Sequence, residues 1–420
     1  MRVVASIIIS LIFLQPLLAA EAMTAEMSSA AAPVSSQTIR WKGSAVRLAI
    51  STSLTNSNPS IKADSNVMSA LQGAVRSWES VSGVRFQIES SERQNASPAG
   101  VAGDGVGLIT IASTPENLQL FAKNPYAESA RTRVFFNRNG FITESDIVLN
   151  PLQQFSTDGT FGTFDLETVL THELGHLLGL HHSAGVGALM SASISRNGAE
   201  YFGPRRVTDG DAAALRELYG SDDETCCGAV SGRIAVGSAG SRQTSVVWAE
   251  DSDGRTMRTV VSGTDGAYRL GGLLSGSYKL FSQLHTDGGG QFSALGLVSI
   301  DRGNTVLNSR AFGVLEDFGI RFVGPAGQPG DCSVMVRPGR TFNIAIAGKG
   351  LSRLVNLNTH SRFIHIDLGS LVKRDFGNDL DVYDAQVVID QDAQSGVFAL
   401  FAEDDLGTRS ALPGALSVIR

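Results

Sequence analysis

The sequence predicts a multidomain fold in which one α+β domain is followed by two all-β sandwich domains. Helix-like and strand-like hydrophobic patterns are mixed up to about residue 222. Beyond the charged, turn-rich segment 221–228 (SDDETCCG), the hydrophobic period changes from 3.6 to 2 residues, which indicates strands. The 46 glycines and the aromatic content of 7% also suit β architecture with many turns. A chain of 420 residues is long enough for two or three such domains.

The α+β part opens with a strand predicted over 46–51 (VRLAIS), where polar and apolar side chains alternate. A helix is predicted over 64–80, capped by Asp64 and carrying an apolar stripe along one face. The stripe consists of Val67, Met68, Leu71, Ala74, Val75 and Trp78, and further strands are predicted over 84–89, 106–112, 132–136 and 142–151.

A second helix should begin near Asp165, whose carboxylate can cap the first turn, and Glu167 lies in that turn. Its apolar side would pack in the core and so provide the rigid support that a metal site requires. The apolar positions are Leu166, Val169, Leu170, Leu174, Leu177 and Leu178.

Residues 172–182 (HELGHLLGLHH), which begin in this helix, have the spacing H-E-x-x-H-x-x-G-x-x-H. His172 and His176 are four residues apart, so both imidazoles project from one helix face and can bind one metal ion. Gly179 permits a left-handed turn that directs His182 back towards the metal. Three neutral nitrogen ligands leave a fourth position open, which is typical of a catalytic zinc site.

Two neighbouring side chains complete the interpretation of this stretch. Glu173 is too far from the ion to be a ligand, but it is placed to take a proton from a zinc-bound water. His181 lies beside His182 and is expected to point elsewhere, towards solvent or into the surroundings of the ligands.

The extended motif, followed by a methionine at Met190, resembles the metzincin clan of zinc peptidases, and within it the matrixins. The third histidine is followed by Ser183, and Ala188-Leu189-Met190 matches the Met-turn segment of that family. Residues 207–220 (VTDGDAAALRELYG) resemble the closing matrixin helix, and 69–88 resemble the first helix and the strand after it. The resemblance covers about residues 38–222.

The resemblance implies an α+β metzincin-like catalytic domain, with a twisted mixed sheet and an active-site helix. It implies that His172, His176 and His182 bind one catalytic zinc ion and that Glu173 is the general base. Met190 would form a hydrophobic floor beneath the metal. The implied reaction is hydrolysis of a peptide that lies extended along an edge strand of the sheet.

The sequence departs from the family pattern in three places. None of its seven histidines precedes His172, so the second, structural zinc site of vertebrate matrixins is not expected. The Pro-x-Tyr segment that lines the family's specificity pocket corresponds here to Ala192 and Ile194. The first cysteine is Cys226, which excludes the family's mechanism of latency, because that mechanism needs a cysteine upstream of the catalytic domain.

A short pro-segment could instead cap the zinc through Glu21 or Glu26. This is a weaker alternative, because carboxylates in linkers are usually solvated.

The N-terminal residues predict export of the protein. Residues 1–22 have the pattern of a signal peptide, with Arg2, a short apolar stretch and small residues at the cleavage site. A membrane anchor is the alternative, but the apolar stretch is short for a span. Residues 23–37 are predicted to be a disordered linker or short pro-segment. The mature protein should be secreted, with the cell surface or periplasm as other destinations, and its net charge of −7 argues against nucleic acid as a partner.

The chain has three cysteines, and in an exported protein a disulfide is allowed. Because adjacent cysteines rarely bridge each other, we expect one bridge from Cys226 or Cys227 to Cys332.

Residues 226–313 resemble a carboxypeptidase regulatory-like β-sandwich, in which Tyr268 and Tyr278 pack in the core. The segment 251–254 (DSDG) is predicted to be a hairpin turn, and no calcium site is indicated because the later ligand positions do not match.

Residues 318–420 suggest an immunoglobulin-like sandwich by the spacing of their short strands. His360 and His365 are expected on opposite faces of one strand. Both sandwich domains lack recognisable chemistry, so binding of an extracellular or envelope ligand, or spacing, is their expected role.

Two hypotheses follow from the sequence. The leading one is a secreted zinc-dependent endopeptidase that acts on protein or peptide substrates. The alternative is an extracellular or cell-surface binding protein whose metzincin-like domain has little activity. The intact ligands and the intact Glu173 favour the first.

Overall fold

The computed structural model describes residues 23–26, 38–100, 103–198, 205–220, 226–236, 244–285, 292–311, 317–376 and 379–420. The expected signal peptide, residues 1–22, lies outside these ranges, as does most of the expected linker. Within that linker, however, Met23–Glu26 form a strand, so the expectation of disorder across 23–37 was wrong for these four residues.

The first part of the described chain combines one mixed sheet of seven strands, a short sheet formed by β8 and β9, and helices. Its strands are β1 (Met23–Glu26), β2 (Arg40–Trp41), β3 (Ala45–Ser51), β4 (Arg85–Ser91), β5 (Gly107–Thr110), β6 (Ala130–Phe136), β7 (Phe141–Leu149), β8 (Phe155–Ser156) and β9 (Phe164–Asp165). Its helices are α1 (Thr52–Thr55), α2 (Val67–Glu79), α3 (Pro115–Gln119), α4 (Leu166–Leu177) and α5 (Asp209–Tyr219).

Among the described residues this sheet has the order β1-β6-β7-β5-β3-β4, with β2 also pairing with β7. Strands β3, β4, β5 and β7 run parallel to one another, whereas β6 is antiparallel to β7. Strand β1 pairs antiparallel with the outer edge of β6, where Met23 lies opposite Phe136 and Glu26 opposite Arg133. Helices α2 and α4 pack on each other, and α4 also contacts β6 and β7, so the core lies between the helices and the sheet.

The start of α2 differs from the prediction. Asn66 caps the helix by accepting a hydrogen bond from the Ser69 amide at 2.9 Å, whereas Asp64 pairs with Lys62. Met68 lies on the solvent side and is 38% exposed, so it does not belong to the buried stripe. The remaining stripe residues follow the predicted pattern, and Trp78 is fully buried.

The second part of the described chain is a β-sandwich of two four-stranded sheets. One sheet has the order β13-β10-β16 with β17 pairing with β10, and the other has the order β12-β11-β14-β15. Tyr268 and Tyr278 are buried in its core, as predicted. Asp251 accepts hydrogen bonds from Asp253 and Arg255, which forms the predicted hairpin turn. The strands are β10 (Gly228–Val236), β11 (Ser245–Glu250), β12 (Thr256–Val261), β13 (Ala267–Leu273), β14 (Gly276–Leu284), β15 (Phe292–Ile300), β16 (Gly303–Val306) and β17 (Ser309–Ala311).

The third part of the described chain is another sandwich of two four-stranded sheets. Their orders are β18-β20-β23-β22 and β19-β25-β24-β21. The strands are β18 (Gly319–Pro325), β19 (Val334–Val336), β20 (Arg340–Lys349), β21 (Leu354–Asn358), β22 (Ile364–Arg374), β23 (Asp381–Ile389), β24 (Gly396–Asp404) and β25 (Arg409–Val418). Among the helices that the structure describes, none is both long and apolar enough to cross a membrane.

An aromatic cluster joins the two sandwiches. Phe401 of the second sandwich lies 5.0 Å from Phe292 and 5.6 Å from Phe281 of the first, measured between ring centroids. His360 stacks on Phe401 at 3.8 Å, and its Nδ1 is 2.7 Å from the buried carboxylate of Glu250. His360 lies in a bend before β22 and not in a strand with His365, so the prediction of one shared strand was wrong.

The predicted disulfide to Cys332 was also wrong. The structure pairs Cys226 with Cys227, and Cys332 is a free thiol. The Cys332 Sγ lies 3.5 Å from the backbone oxygen of Ser193, because the bend before β19 that carries Cys332 packs against the first part of the chain. The sandwich therefore contacts the helical part through packing and not through a disulfide to Cys332.

We expect Phe401→Ala to lower the free energy of unfolding by about 3–5 kcal/mol, because it removes a buried ring that both sandwiches share. Differential scanning calorimetry of the full chain measures the effect. Phe376→Ala is the matched control, since Phe376 belongs to the same sandwich but is 48% exposed, and it should change stability by less than about 0.5 kcal/mol. Equal effects of the two substitutions would contradict the role of the cluster.

Candidate metal centre

Helix α4 begins where the sequence predicted. Asp165 caps it by accepting a hydrogen bond from the Thr168 amide at 2.9 Å, and Arg205 Nη2 donates to the same carboxylate at 2.5 Å. All six predicted apolar positions are buried, and so are His172 and His176. The helix is therefore fixed at its start and along its length before any ligand is considered.

The three predicted ligand residues converge on one point. One ring nitrogen from each of His172, His176 and His182 lies within 4.8 Å of the others. The Nε2 atom of His182 is 3.0 Å from that of His176 and 3.3 Å from that of His172. His181 is not part of this group, in agreement with the expectation that it points elsewhere.

Backbone carbonyl groups orient the two helical histidines. The Nδ1 atom of His172 lies 2.8 Å from the Leu189 oxygen, and that of His176 lies 2.8 Å from the Leu180 oxygen. Since a carbonyl can only accept, each Nδ1 must carry the proton, which leaves Nε2 free to donate its lone pair. Burial and the neighbouring His182 lower the pKa of His172 to about 3, and burial also lowers the pKa of His176 well below its usual value. Both rings are thus held in the neutral form that binds metal.

The turn after α4 depends on a glycine. Gly179 has φ of 95°, in the left-handed region, and a Cβ at this position would collide with the backbone oxygen of Ile39. Trp41 Nε1 donates to the Leu177 oxygen at 2.9 Å, and the Tyr219 hydroxyl donates to the Leu178 oxygen at 2.7 Å. Two residues from opposite ends of this region therefore satisfy the last carbonyl groups of the helix and hold the turn that directs His182.

Met190 is a buried residue that packs against helix α4. It is 1% exposed, and its side chain contacts the position where Gly175 of α4 would carry a Cβ. Asp211 of α5 accepts hydrogen bonds from the Leu189 amide at 2.8 Å and from the Met190 amide at 3.3 Å. Burial raises the pKa of Asp211. Helix α5 thus fixes the backbone segment that also orients His172.

Glu173 lies beside the histidine group. It is 4% exposed, and its Oε2 accepts a hydrogen bond from the Thr132 hydroxyl of β6 at 2.6 Å. Burial raises the pKa of the Glu173 carboxyl to about 7. A carboxyl group with this pKa can both accept and release a proton near neutral pH.

The histidines and Glu173 open into a cleft of about 290 Å³. Residues 127–130, which lead into β6, and residues 192–194, which follow Met190, form parts of its wall. Asp331, from the second sandwich, also lines this cleft. The remaining lining residue is Phe164.

The donor set fits zinc. In a tetrahedral site with zinc–nitrogen distances near 2.0–2.1 Å, neighbouring nitrogens lie about 3.3 Å apart. The distances from the His182 Nε2 atom to those of His176 and His172, 3.0 and 3.3 Å, are close to this value. The nitrogens face an open cleft, which would leave room for a fourth ligand. His172, His176 and His182 are therefore the residues that would hold the ion.

A helix bearing two histidines, a glycine turn to a third and a buried methionine packed against the helix are the features of a metzincin-like centre. Residues 129–220 match the family model for Matrixin (Peptidase_M10), and this part of the chain is matrixin-like.

Two curated relatives support the same assignment. "Metalloendoproteinase 1" of Glycine max is 25% identical over 193 residues, which are 43% of this chain and 53% of the relative. "Metalloendoproteinase 1-MMP" of Arabidopsis thaliana is 28% identical over 169 residues, which are 37% of this chain and 38% of the relative. The chain thus spans about half the length of these relatives or less.

A solved structure from Bacteroides ovatus, the mixed-linkage glucan utilization locus protein SGBP-B in complex with a heptasaccharide, resembles part of the chain. It is 15% identical, covers 42% of this chain and 37% of its own, and has a TM-score of 0.19. At this TM-score the likeness carries no weight for the fold or the function.

Several residues of the centre were not identified from the sequence. Thr132, Trp41 and Asp331 reach it only through the tertiary fold, so no local pattern marks them. The role of Asp211 has a local signal, because Thr208 and Asp211 have the spacing of a capping box at the start of a helix.

We expect the full chain to bind one zinc ion, and His182→Ala to lose most of it, because two ligands bind zinc far more weakly than three. Zinc content after dialysis, measured by inductively coupled plasma mass spectrometry, tests this. His181→Ala is the matched control and should retain the ion, since His181 is adjacent in sequence but outside the group. Retention of zinc by both variants would refute the assignment of His182.

We expect Gly175→Ala to destabilise the protein by about 1–3 kcal/mol, because the added Cβ would lie 2.8 Å from Trp78 Cζ2 and would also crowd Met190. Gly210→Ala is the control in helix α5, where the nearest atom lies 3.7 Å away, and it should leave stability unchanged or raise it slightly. Thermal unfolding measures both. A loss of the same size in Gly210→Ala would show that the crowding is not the cause.

Proposed function

We propose that the chain is an exported zinc-dependent endopeptidase. The observation that carries the proposal is the position of the buried Glu173 carboxyl beside three convergent imidazole groups in an open cleft. The matrixin-like segment and the two metalloendoproteinase relatives support the same class. Export is inferred from residues 1–22 of the sequence.

The residues of the cleft have separate tasks in this proposal. Zinc, when bound by the three histidines, would act as a Lewis acid that polarises the peptide carbonyl and makes a water molecule more acidic. Glu173 would accept a proton from the attacking water and pass it to the leaving amine. Thr132 would orient the carboxyl through its hydrogen bond to Oε2.

The substrate would be an extended peptide lying along β6. Strand β1 covers the outer edge of β6 from Arg133 to Phe136, whereas Ala130, at the start of β6, lines the cleft. Backbone groups at this start of the strand could pair with a peptide that crosses the histidines. We therefore propose that the start of β6 is the edge along which the peptide lies.

We further propose that the domains are residues 38–222, 226–313 and 318–420, each built on its own hydrophobic core. In this division the zinc centre belongs to the first domain, and the two sandwiches are docked on it.

We expect purified full chain to cleave an unstructured protein such as casein, and Glu173→Ala to lower kcat by about 10²–10⁴-fold, because the general base is removed while the metal ligands remain. Glu167→Gln is the control on the same helix, and it should stay active, because Glu167 does not line the cleft. Gel electrophoresis or a fluorescent casein reports cleavage, and a zinc chelator should abolish it.

Zinc content of each variant is measured in parallel. One bound zinc in the wild type without any cleavage would reject the peptidase proposal and favour an extracellular binding protein. Equal cleavage by wild type and Glu173→Ala would reject the role of Glu173.

A further inference from the structure

The second sandwich contributes one charged side chain to the cleft that holds the histidines. Asp331 lies on the segment between β18 and β19, and it is exposed. It lines the same cleft as Glu173, His176 and His182, although it is more than 140 residues away from each in sequence. The matrixin-like segment ends at residue 220, so Asp331 is outside it.

Direct contacts hold Asp331 at the cleft wall. The Ser193 hydroxyl donates a hydrogen bond to Asp331 Oδ2 at 2.6 Å. Next to it, the Cys332 thiol lies 3.5 Å from the backbone oxygen of Ser193. Ser193 lies between Ala192 and Ile194, the two positions that correspond to the family's specificity segment. The carboxylate is thereby attached to the wall that a substrate side chain would meet.

The backbone around this wall leaves the sandwich little freedom to move. The Val186 amide donates to the Pro413 oxygen at 3.0 Å. A Cβ on Gly187 would lie 2.5 Å from the Gly414 oxygen and 2.7 Å from Val397 Cγ1, so the two backbones are in direct contact. Because such a contact admits no side chain, the sandwich that carries Asp331 packs closely against residues 186–187 of the first part of the chain.

The carboxylates of the cleft differ in their partners. Glu128 is paired with Arg131, whose Nη2 donates to its Oε1 at 2.7 Å. Glu173 is bonded to Thr132. Among the residues that the structure describes, Asp331 has hydroxyl and thiol partners but no lysine or arginine partner. An exposed carboxylate with this much unused acceptor capacity can receive a cationic group from outside the chain.

We propose that Asp331 is a specificity-determining residue, which binds a lysine or arginine side chain of the substrate at the wall formed by residues 192–194. The proposal rests on the peptidase function proposed above. It adds that the second sandwich completes the substrate-binding cleft.

The first test compares cleavage profiles of the full chain and Asp331→Asn. Casein fragments are mapped by mass spectrometry, and kcat/KM is then measured on peptides that carry Lys, norleucine or Glu at the selected position. We expect the wild type to prefer Lys over norleucine by about tenfold, and Asp331→Asn to lose this preference while cleaving the norleucine peptide normally. Asp331→Lys should instead favour Glu.

Asp392→Asn is the matched control, because Asp392 is an exposed residue of the same sandwich and does not line the cleft. It should keep the wild-type profile. The melting temperature of each variant is measured as well, since Asp331 also contacts Ser193. An unchanged profile in Asp331→Asn, or an equal loss on all three peptides, would overturn the proposal and indicate a purely structural contact.

A binding measurement separates this proposal from the peptidase function. Fluorescence anisotropy of the same three peptides is recorded with zinc-loaded Glu173→Ala, in which turnover is not required. Tighter binding of the Lys peptide that disappears in the double variant with Asp331→Asn supports the role of Asp331, even if the wild type cleaves nothing. Binding that is independent of peptide charge, or no binding of any of the three, overturns it.

Discussion

The structure depends on bringing three imidazole groups together, two of them buried and uncharged, with the His182 Nε2 atom only 3.0 and 3.3 Å from the other two Nε2 atoms. Nitrogen lone pairs at this distance repel each other, and protonation would place like charges together in a medium of low polarity. Helix α4 supplies two of the rings on one face, and the third requires the chain to reverse at once. The reversal is possible only with a glycine at position 179, because the left-handed turn lies directly against the backbone of Ile39.

The positions of the histidines also depend on residues outside the centre. The Leu189 oxygen that orients His172 belongs to a backbone segment whose amides are held by Asp211 of α5. Helix α5 in turn docks on the first sandwich, where Arg216 donates to the Gly272 oxygen at 3.0 Å and Glu217 pairs with Arg269 at 2.9 Å. A continuous series of contacts therefore supports the centre, from a ring nitrogen of His172 to a sheet of the first sandwich. Loss of any of these contacts would let the imidazole rings take a wider range of positions.

The sequence predicted those features that are encoded within one or two turns of chain. The cap at Asp165, the two histidines four residues apart on one helix, the turn at Gly179 and, within one residue, the alternating strand predicted over 46–51 were found where expected. The N-cap of α2 was predicted at the wrong residue, because Asn66 and Asp64 are both suitable capping residues. Asn66 caps the helix, and Asp64 pairs with Lys62. Contacts that join distant segments, such as that of Asp331 with Ser193, leave no periodic pattern in the sequence and could not be predicted.

The contact between the sandwich and the cleft also bears on what a downstream domain does. A domain that acts as a spacer needs only to be connected by a linker, and a domain that binds its own ligand needs only its own binding surface. Neither task requires Gly187 and Gly414 to bring two backbones into contact, a geometry that any side chain at either glycine would destroy. Gly414 has φ of 84°, so this position also demands a conformation that other residues rarely adopt. The close backbone contact and the positive φ of Gly414 each require glycine, and both occur where the second sandwich meets the first part of the chain. We infer that a fixed position of the second sandwich is needed to form the cleft.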